Sequence, residues 1–219
     1  MNAPSTRAPA LIAVAWLWAA VAACGSSPAG PSPPAAPTGP DLALVADAVD
    51  YWRSVLGLQV VLLPSDTAPR ILIRAGVDGL GTADGRALID GTDAGNWATS
   101  ALVVVRPSVS SRRLYRHEVG HALGFLAHSD SGLMAAGGGP DVLSDRERNM
   151  MVALYSLPAG SRVEADGTWM TPEGASGQLA DAQAARDILD YNMNAPAGSP
   201  FRRQNVTCRW REPVAVYVQ

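Results

Sequence analysis

The chain has 219 residues, of which 47% are hydrophobic and 17% charged, so it can bury a core and is not disordered as a whole. Its 17 basic residues are all arginines scattered among 20 acidic residues, and this pattern argues against nucleic acid as a partner. Two cysteines, Cys24 and Cys208, are too few for a disulfide scaffold or a four-cysteine zinc site. The 3 histidines all lie between residues 117 and 128.

Residues 1–23 are predicted to be an export signal. Arg7 precedes an uncharged apolar run that ends in small residues and is shorter than the ~20 residues needed to span a bilayer. Residues 21–25 (VAACG) resemble the lipobox of bacterial lipoproteins, which implies that Cys24 becomes the lipidated first residue of the mature chain. An ordinary secretion signal is the alternative. Residues 24–40, rich in proline and without charge, are predicted to be an extended linker.

Folded sequence is predicted to begin near Asp41, with a helix over 41–56 whose apolar residues recur at helical spacing before Gly57. Short apolar runs then predict strands. These runs are 58–63, 70–75 and 101–106, with a weaker one at 86–90. Asp-Gly pairs at 78–79, 84–85 and 90–91 predict tight turns, and a calcium ion held by aspartate oxygens is the alternative reading of these pairs.

Three further helices are predicted. They cover residues 112–126, a segment from Ser144 to Leu157, and residues 178–192. The second opens with a capping box in which Glu147 can reach back to Ser144. Residues 161–171 and 206–218 are predicted to be extended. The pattern as a whole indicates an α+β fold.

His117 and His121 lie four residues apart on the predicted helix 112–126, so both imidazoles can reach one metal ion from one face. Glu118 follows His117 directly and therefore points ~100° away from it around the helix axis. This direction makes Glu118 a poor ligand but a good neighbour for a metal-bound water. A carboxylate there can take a proton from zinc-bound water as it attacks a carbonyl group. These residues form an HExxH motif.

A third ligand has to approach from another direction, and Gly124 is suited to end the helix because glycine accepts a positive φ. His128 can then reach the same ion. Here the sequence resembles the metzincin zinc peptidases, whose motif HExxHxxGxxH is matched by His117, Glu118, His121 and Gly124. The family position of the third histidine is occupied by Ala127, and His128 follows one residue later. A zinc ligand at Asp130 or Glu147 is the alternative.

Two more segments resemble this family. Met134 lies in a Ser-Gly-Leu-Met turn similar to the metzincin Met-turn, and residues 143–156 resemble the final helix of the matrixin branch. The residue after Met134 is Ala135, where some metzincins have Tyr or Pro. The resemblance implies a twisted mixed sheet, an active-site helix, a Met-turn and a C-terminal helix over 41–157. Residues 158–219 fall outside the resemblance and are predicted to be a small C-terminal extension.

The resemblance further implies a zinc endopeptidase that acts on peptide or protein substrates, with Glu118 as the general base and one catalytic zinc ion. We expect a monomer that is exported and anchored at the bacterial cell envelope through Cys24. A gluzincin-type site, with Glu147 as the third ligand, is one alternative. An envelope-anchored zinc-binding or structural protein without turnover is the other. Cys208 is interpreted as a buried structural cysteine, with an inhibitory zinc thiolate as its alternative.

Overall fold

A computed structural model of the chain describes residues 39–67, 69–193 and 206–219. Over these residues it contains four α-helices and a twisted mixed sheet, which confirms the predicted α+β class. The predicted signal over 1–23, Cys24 and the linker up to residue 38 lie outside the described residues. Within the described part, no helix combines the length and apolar character that a membrane span requires.

The first helix, α1 (Leu42–Leu56), begins and ends as predicted. The Asp41 side chain caps it by accepting hydrogen bonds from the amides of Ala43 and Leu44, and Gly57 ends it with a φ of 67°. Its apolar face is buried, and Trp52 on that face has no exposed surface. The Trp52 indole donates to the carbonyl oxygen of Arg116 at 2.8 Å, which ties α1 to the helix that carries the histidine motif.

Nine strands are present in the described ranges. They are β1 (Val60–Leu62), β2 (Arg70–Ala75), β3 (Gly85–Thr92), β4 (Trp97–Val105), β5 (Arg162–Val163), β6 (Thr168–Met170), β7 (Ser176–Gln178), β8 (Arg209–Trp210) and β9 (Val214–Val218). The main sheet has the order β1-β9-β2-β4-β3, and β8 also pairs with β4. Its pairs are parallel except for β3, which runs antiparallel to β4. The strands β5, β6 and β7 form a separate antiparallel sheet.

The C-terminal strand β9 lies inside the main sheet, between β1 and β2. Val214 pairs with Val60, and Val216 pairs with Ile71. Both valines are fully buried, and the described residues belong to one compact unit. Strands β8 and β9, from the segment 158–219 that was predicted to be a C-terminal extension, therefore pair with strands of the segment 41–157. The apolar pattern of β9 predicts a strand, but it does not determine which neighbours that strand pairs with.

The remaining helices are α2 (Arg112–Ala122), α3 (Asp145–Ser156) and α4 (Ala182–Ile188), the last continuing as a π-helix over Leu189–Met193. Helix α3 begins with the predicted capping box. Helix α4 begins later than predicted, because residues 176–178 pair in β7 and Asp181 caps the helix. Asp187, only 1% exposed, pairs with Arg146 at 2.6 Å and holds α4 against α3.

Candidate metal centre

Helix α2 presents two of the histidines, His117 and His121, and is seated deep in the fold. Ser111 caps its start by accepting a hydrogen bond from the Leu114 amide. Gly120, between the two histidines, allows the helix to approach its neighbours closely. A Cβ atom at this position would lie 2.6 Å from Trp52 and 2.7 Å from the sulfur of Met134. The helix that carries the two histidines is therefore tightly packed against Trp52 and Met134 at Gly120.

The chain leaves α2 at Gly124, which has a φ of 113°, so the helix ends at Ala122 rather than at residue 126 as predicted. The side chain of Asn192 donates to the Gly124 carbonyl oxygen at 2.7 Å and to that of Cys208 at 3.1 Å. The amides of Leu126 and Ala127 both donate to the carbonyl oxygen of Tyr191. The turn that leads to His128 is thus held by the π-helix, a contribution that the sequence analysis missed.

The three histidines come together. One ring nitrogen from each of His117, His121 and His128 lies within 4.8 Å of the corresponding atom of the other two. The ring centroids are separated by 4.6, 4.9 and 5.3 Å. His117 is buried, His121 is half-buried and His128 is exposed, so the group opens to solvent on the side of His128. His128 therefore lies beside the other two histidines, although it comes one residue later than the third histidine of the metzincin motif.

Hydrogen bonds to carbonyl oxygens orient two of the imidazoles. The Nδ1 atom of His117 donates to Leu133 at 2.8 Å, and that of His121 donates to Phe125. This tautomer leaves both Nε2 atoms unprotonated and directed at each other, 3.0 Å apart. Two lone pairs at this distance repel, whereas tetrahedral zinc with ~2.05 Å bonds separates its nitrogen ligands by ~3.3 Å. The donor set therefore suits a metal ion such as zinc.

The histidines are neutral at physiological pH, as ligands must be. Burial lowers the pKa of His121 to about 3 and that of His117 to about 4. Burial also lowers the pKa of His128. Because a metal ion competes with protons for the same lone pairs, a lowered pKa favours metal binding over protonation.

Glu118 is 5% exposed and packs against the start of β3, where a Cβ atom at Gly85 would lie 2.8 Å from its Oε1 atom. Burial raises the pKa of Glu118 to about 8, and the positive charge of Arg113 partly opposes this shift. The carboxyl group accepts no hydrogen bond from the described residues. A divalent cation bound next to it would lower its pKa by Coulomb attraction. The structure therefore keeps an ionisable and unengaged carboxyl group beside the first histidine.

Met134 is fully buried beneath α2, against Gly120, in the turn that also supplies the acceptor for His117. The carboxylate of Glu147 holds this turn by accepting hydrogen bonds from the amides of Leu133 and Met134, at 3.1 and 2.8 Å. It also accepts the capping hydrogen bond from the Ser144 amide. The capping role of Glu147 follows from the sequence, whereas its contact with the turn becomes visible only in the structure.

The other candidates for metal binding do not belong to the histidine group. Asp78 and Asp84 pair with arginines at 3.6 and 3.7 Å, and Asp90 accepts a hydrogen bond from Ser100. Asp130 and Glu147 do not belong to the histidine group. Cys208 is buried, and burial raises the pKa of its thiol to about 12, which favours the inert thiol over a thiolate.

The described residues thus contain a three-histidine group that could bind a metal ion and is compatible with zinc. Comparison of the chain with protein-family models, with curated proteins and with solved structures gave no match.

Proposed function

We propose that the protein is a zinc-dependent endopeptidase similar to the matrixin branch of the metzincins. The observation that carries the proposal is the convergence of His117, His121 and His128 with Glu118 next to the first of them on α2. The buried Met134 below the same helix supports the family assignment.

Three histidines are the number of protein ligands typical of a catalytic zinc site, because the fourth position stays open for water or substrate. Zinc bound there would act as a Lewis acid and make a water molecule more acidic. His117 and His121 hold their positions through hydrogen bonds to backbone carbonyl oxygens. His128 closes the group from the solvent side and is carried by the turn that Tyr191 anchors.

Glu118 would move the proton in the reaction. Its carboxylate accepts a proton from the attacking water and delivers it to the nitrogen of the leaving amine, acting first as base and then as acid. A carboxyl group with a pKa raised towards neutrality is suited to both steps. A glutamate whose task was only structural would be expected to have hydrogen-bond partners at this degree of burial.

An extended peptide would bind along β3. Among the described strands, β3 pairs only with β4, so its other edge has free backbone donors and acceptors. Glu118 touches β3 at Gly85, so a peptide paired with this edge would lie near the carboxyl group. Addition of an extended peptide to an exposed sheet edge is a common mode of recognition.

Hydrolysis of an unfolded protein such as reduced casein tests the proposal. We expect the zinc-loaded protein to cleave it, a chelator to abolish the cleavage, and added zinc to restore it. The zinc content, measured on the same samples, separates the alternatives. A protein that binds one zinc ion and cleaves neither casein nor a peptide library is a zinc-binding protein without turnover, and the proposed activity would then be rejected.

We further propose that the protein is exported and anchored at the bacterial cell envelope through a lipid on Cys24. Stable anchoring takes two acyl chains, because one gives only marginal membrane binding. In a bacterial host, the protein should partition into the detergent phase and start at a modified Cys24. Cys24→Ser should move it to the aqueous phase or leave it unprocessed. An intact mass that corresponds to an unmodified mature N-terminus would instead identify an ordinary secreted protein.

A further inference from the structure

The acceptor for His117, the carbonyl oxygen of Leu133, belongs to a fully enclosed turn. Leu133 and Met134 have no exposed surface, and Ala135 is 7% exposed. Because His117 donates to Leu133 at 2.8 Å, any rotation of this peptide group would turn the imidazole with it. The direction of the His117 Nε2 lone pair thus depends on what holds the turn.

Charged side chains from two different helices hold this turn. From α3, the carboxylate of Glu147 accepts from the amides of Leu133 and Met134. From α2, the guanidinium of Arg113 donates through Nη2 to the carbonyl oxygens of Leu133 and Ala135, at 3.2 and 2.6 Å. The Leu133 oxygen therefore accepts from both Arg113 and His117.

The positive charge of Arg113 lies close to the histidine group, where it would repel a bound metal ion. It precedes His117 by one helical turn, and its charge lowers the pKa of both His117 and His128. Its Nε atom is buried without a hydrogen-bond partner, and no carboxylate of a described residue forms a salt bridge with it. Its neighbours Arg112 and Arg116, by contrast, pair with Asp47 and Asp141. The charge of Arg113 thus disfavours protonated histidines and favours an ionised Glu118, but it does not require the planar fork of an arginine. The two hydrogen bonds to the turn do use that fork.

We propose that Arg113 is a positioning residue of the metal centre: it fixes the Leu133 carbonyl group and thereby keeps the Nε2 atom of His117 directed at the metal. The inference rests on the metal centre of the proposed function, but not on peptide hydrolysis. It concerns a side chain that lies outside the HExxH motif and the three-histidine set.

The test compares Arg113→Gln, Arg113→Lys and the control Arg112→Gln with the wild type. Zinc affinity is measured by competition with a chromophoric chelator, and the visible spectrum of bound Co²⁺ reports the ligand geometry. Loss of a residue that orients a metal ligand typically lowers metal affinity by ~10–100-fold, and we expect this for Arg113→Gln together with an altered Co²⁺ spectrum. Lysine keeps the charge but lacks the planar fork, so Arg113→Lys should fall between Arg113→Gln and the wild type. Arg112→Gln should bind zinc like the wild type.

The direction in which the zinc affinity of Arg113→Gln changes distinguishes a positioning role from a purely electrostatic one. If Arg113 acted only as a charge, its removal would reduce repulsion and zinc would bind more tightly to Arg113→Gln. Tighter or unchanged binding with an unchanged Co²⁺ spectrum overturns the proposal, as does an equal loss in Arg112→Gln. Circular dichroism of the metal-free variants checks folding. Should Arg113→Gln not fold, Arg113→Lys decides: a weakened affinity supports positioning, and a wild-type affinity overturns it.

The outcomes also distinguish this inference from the proposed function. A wild-type protein that binds no zinc removes the proposed function and the basis of the inference together. If the wild type binds zinc and the Arg113 variants behave like it, only the inference fails. If the wild type binds zinc without cleaving peptides, only the proposed activity fails, because affinity and spectrum still report on Arg113.

Discussion

Glu118→Ala is expected to lower the rate of peptide hydrolysis by ~10²–10⁴-fold while the protein still binds one zinc ion. The histidines that would hold the metal remain in place, whereas the group that takes the proton from water is lost. The zinc content and kcat/KM are measured on the same preparation. Because the side chain is buried against Gly85, Glu118→Gln provides a second variant of nearly unchanged shape and should be equally inactive.

The matched control for this prediction is Glu164→Ala. Glu164 is exposed, lies directly after β5 and does not belong to the histidine group, so its removal should leave both hydrolysis and zinc content unchanged. Two results would contradict the assigned role. One is full activity in Glu118→Gln, which would show that the carboxylate is not the base. The other is loss of zinc in the same variant, which would indicate a role in holding the metal.

His128→Ala should weaken zinc binding by more than the ~10–100-fold typical of losing an outer partner, because it removes one of three direct ligands. Hydrolysis should fall to nearly the background rate. His128 is exposed, so the variant should fold like the wild type, and circular dichroism of the metal-free protein checks this. Zinc affinity is determined by chelator competition, as for the other variants.

Asp130→Ala is the control for His128→Ala. Asp130 is exposed, lies two residues further along the same loop and does not belong to the histidine group, so this variant should keep wild-type zinc affinity. Glu147→Ala is less informative about ligation, since its carboxylate holds the turn at Leu133 and Met134 and its loss would disturb the site indirectly. If His128→Ala binds zinc like the wild type and Asp130→Ala does not, the carboxylate is the third ligand and the similarity to metzincins is lost.

Features that depend on neighbouring residues could be read from the sequence. The cap at Asp41, the capping box at Ser144 and the exit at Gly124 are all present, because each depends on hydrogen bonds or φ angles within a few residues. The pairing of His117 with His121 follows from the period of one helix. The structure brings His128 close enough to both to share one metal ion, whereas its spacing alone left Asp130 and Glu147 as alternatives.

Contacts between residues far apart in the chain were decided only by the tertiary structure. Strand β9 enters the main sheet between β1 and β2, and Asn192 holds the turn after α2 from the C-terminal part of the chain. Arg113 from α2 and Glu147 from α3 both form hydrogen bonds with the turn that contains Met134. Such contacts carry no periodic signal, because strand order and hydrogen bonds to a distant backbone depend on how the elements pack. The sequence by itself identified the candidate metal ligands, because their types and the helical spacing of two of them are local properties. The packing of the elements around them decided which three come together and how they are oriented.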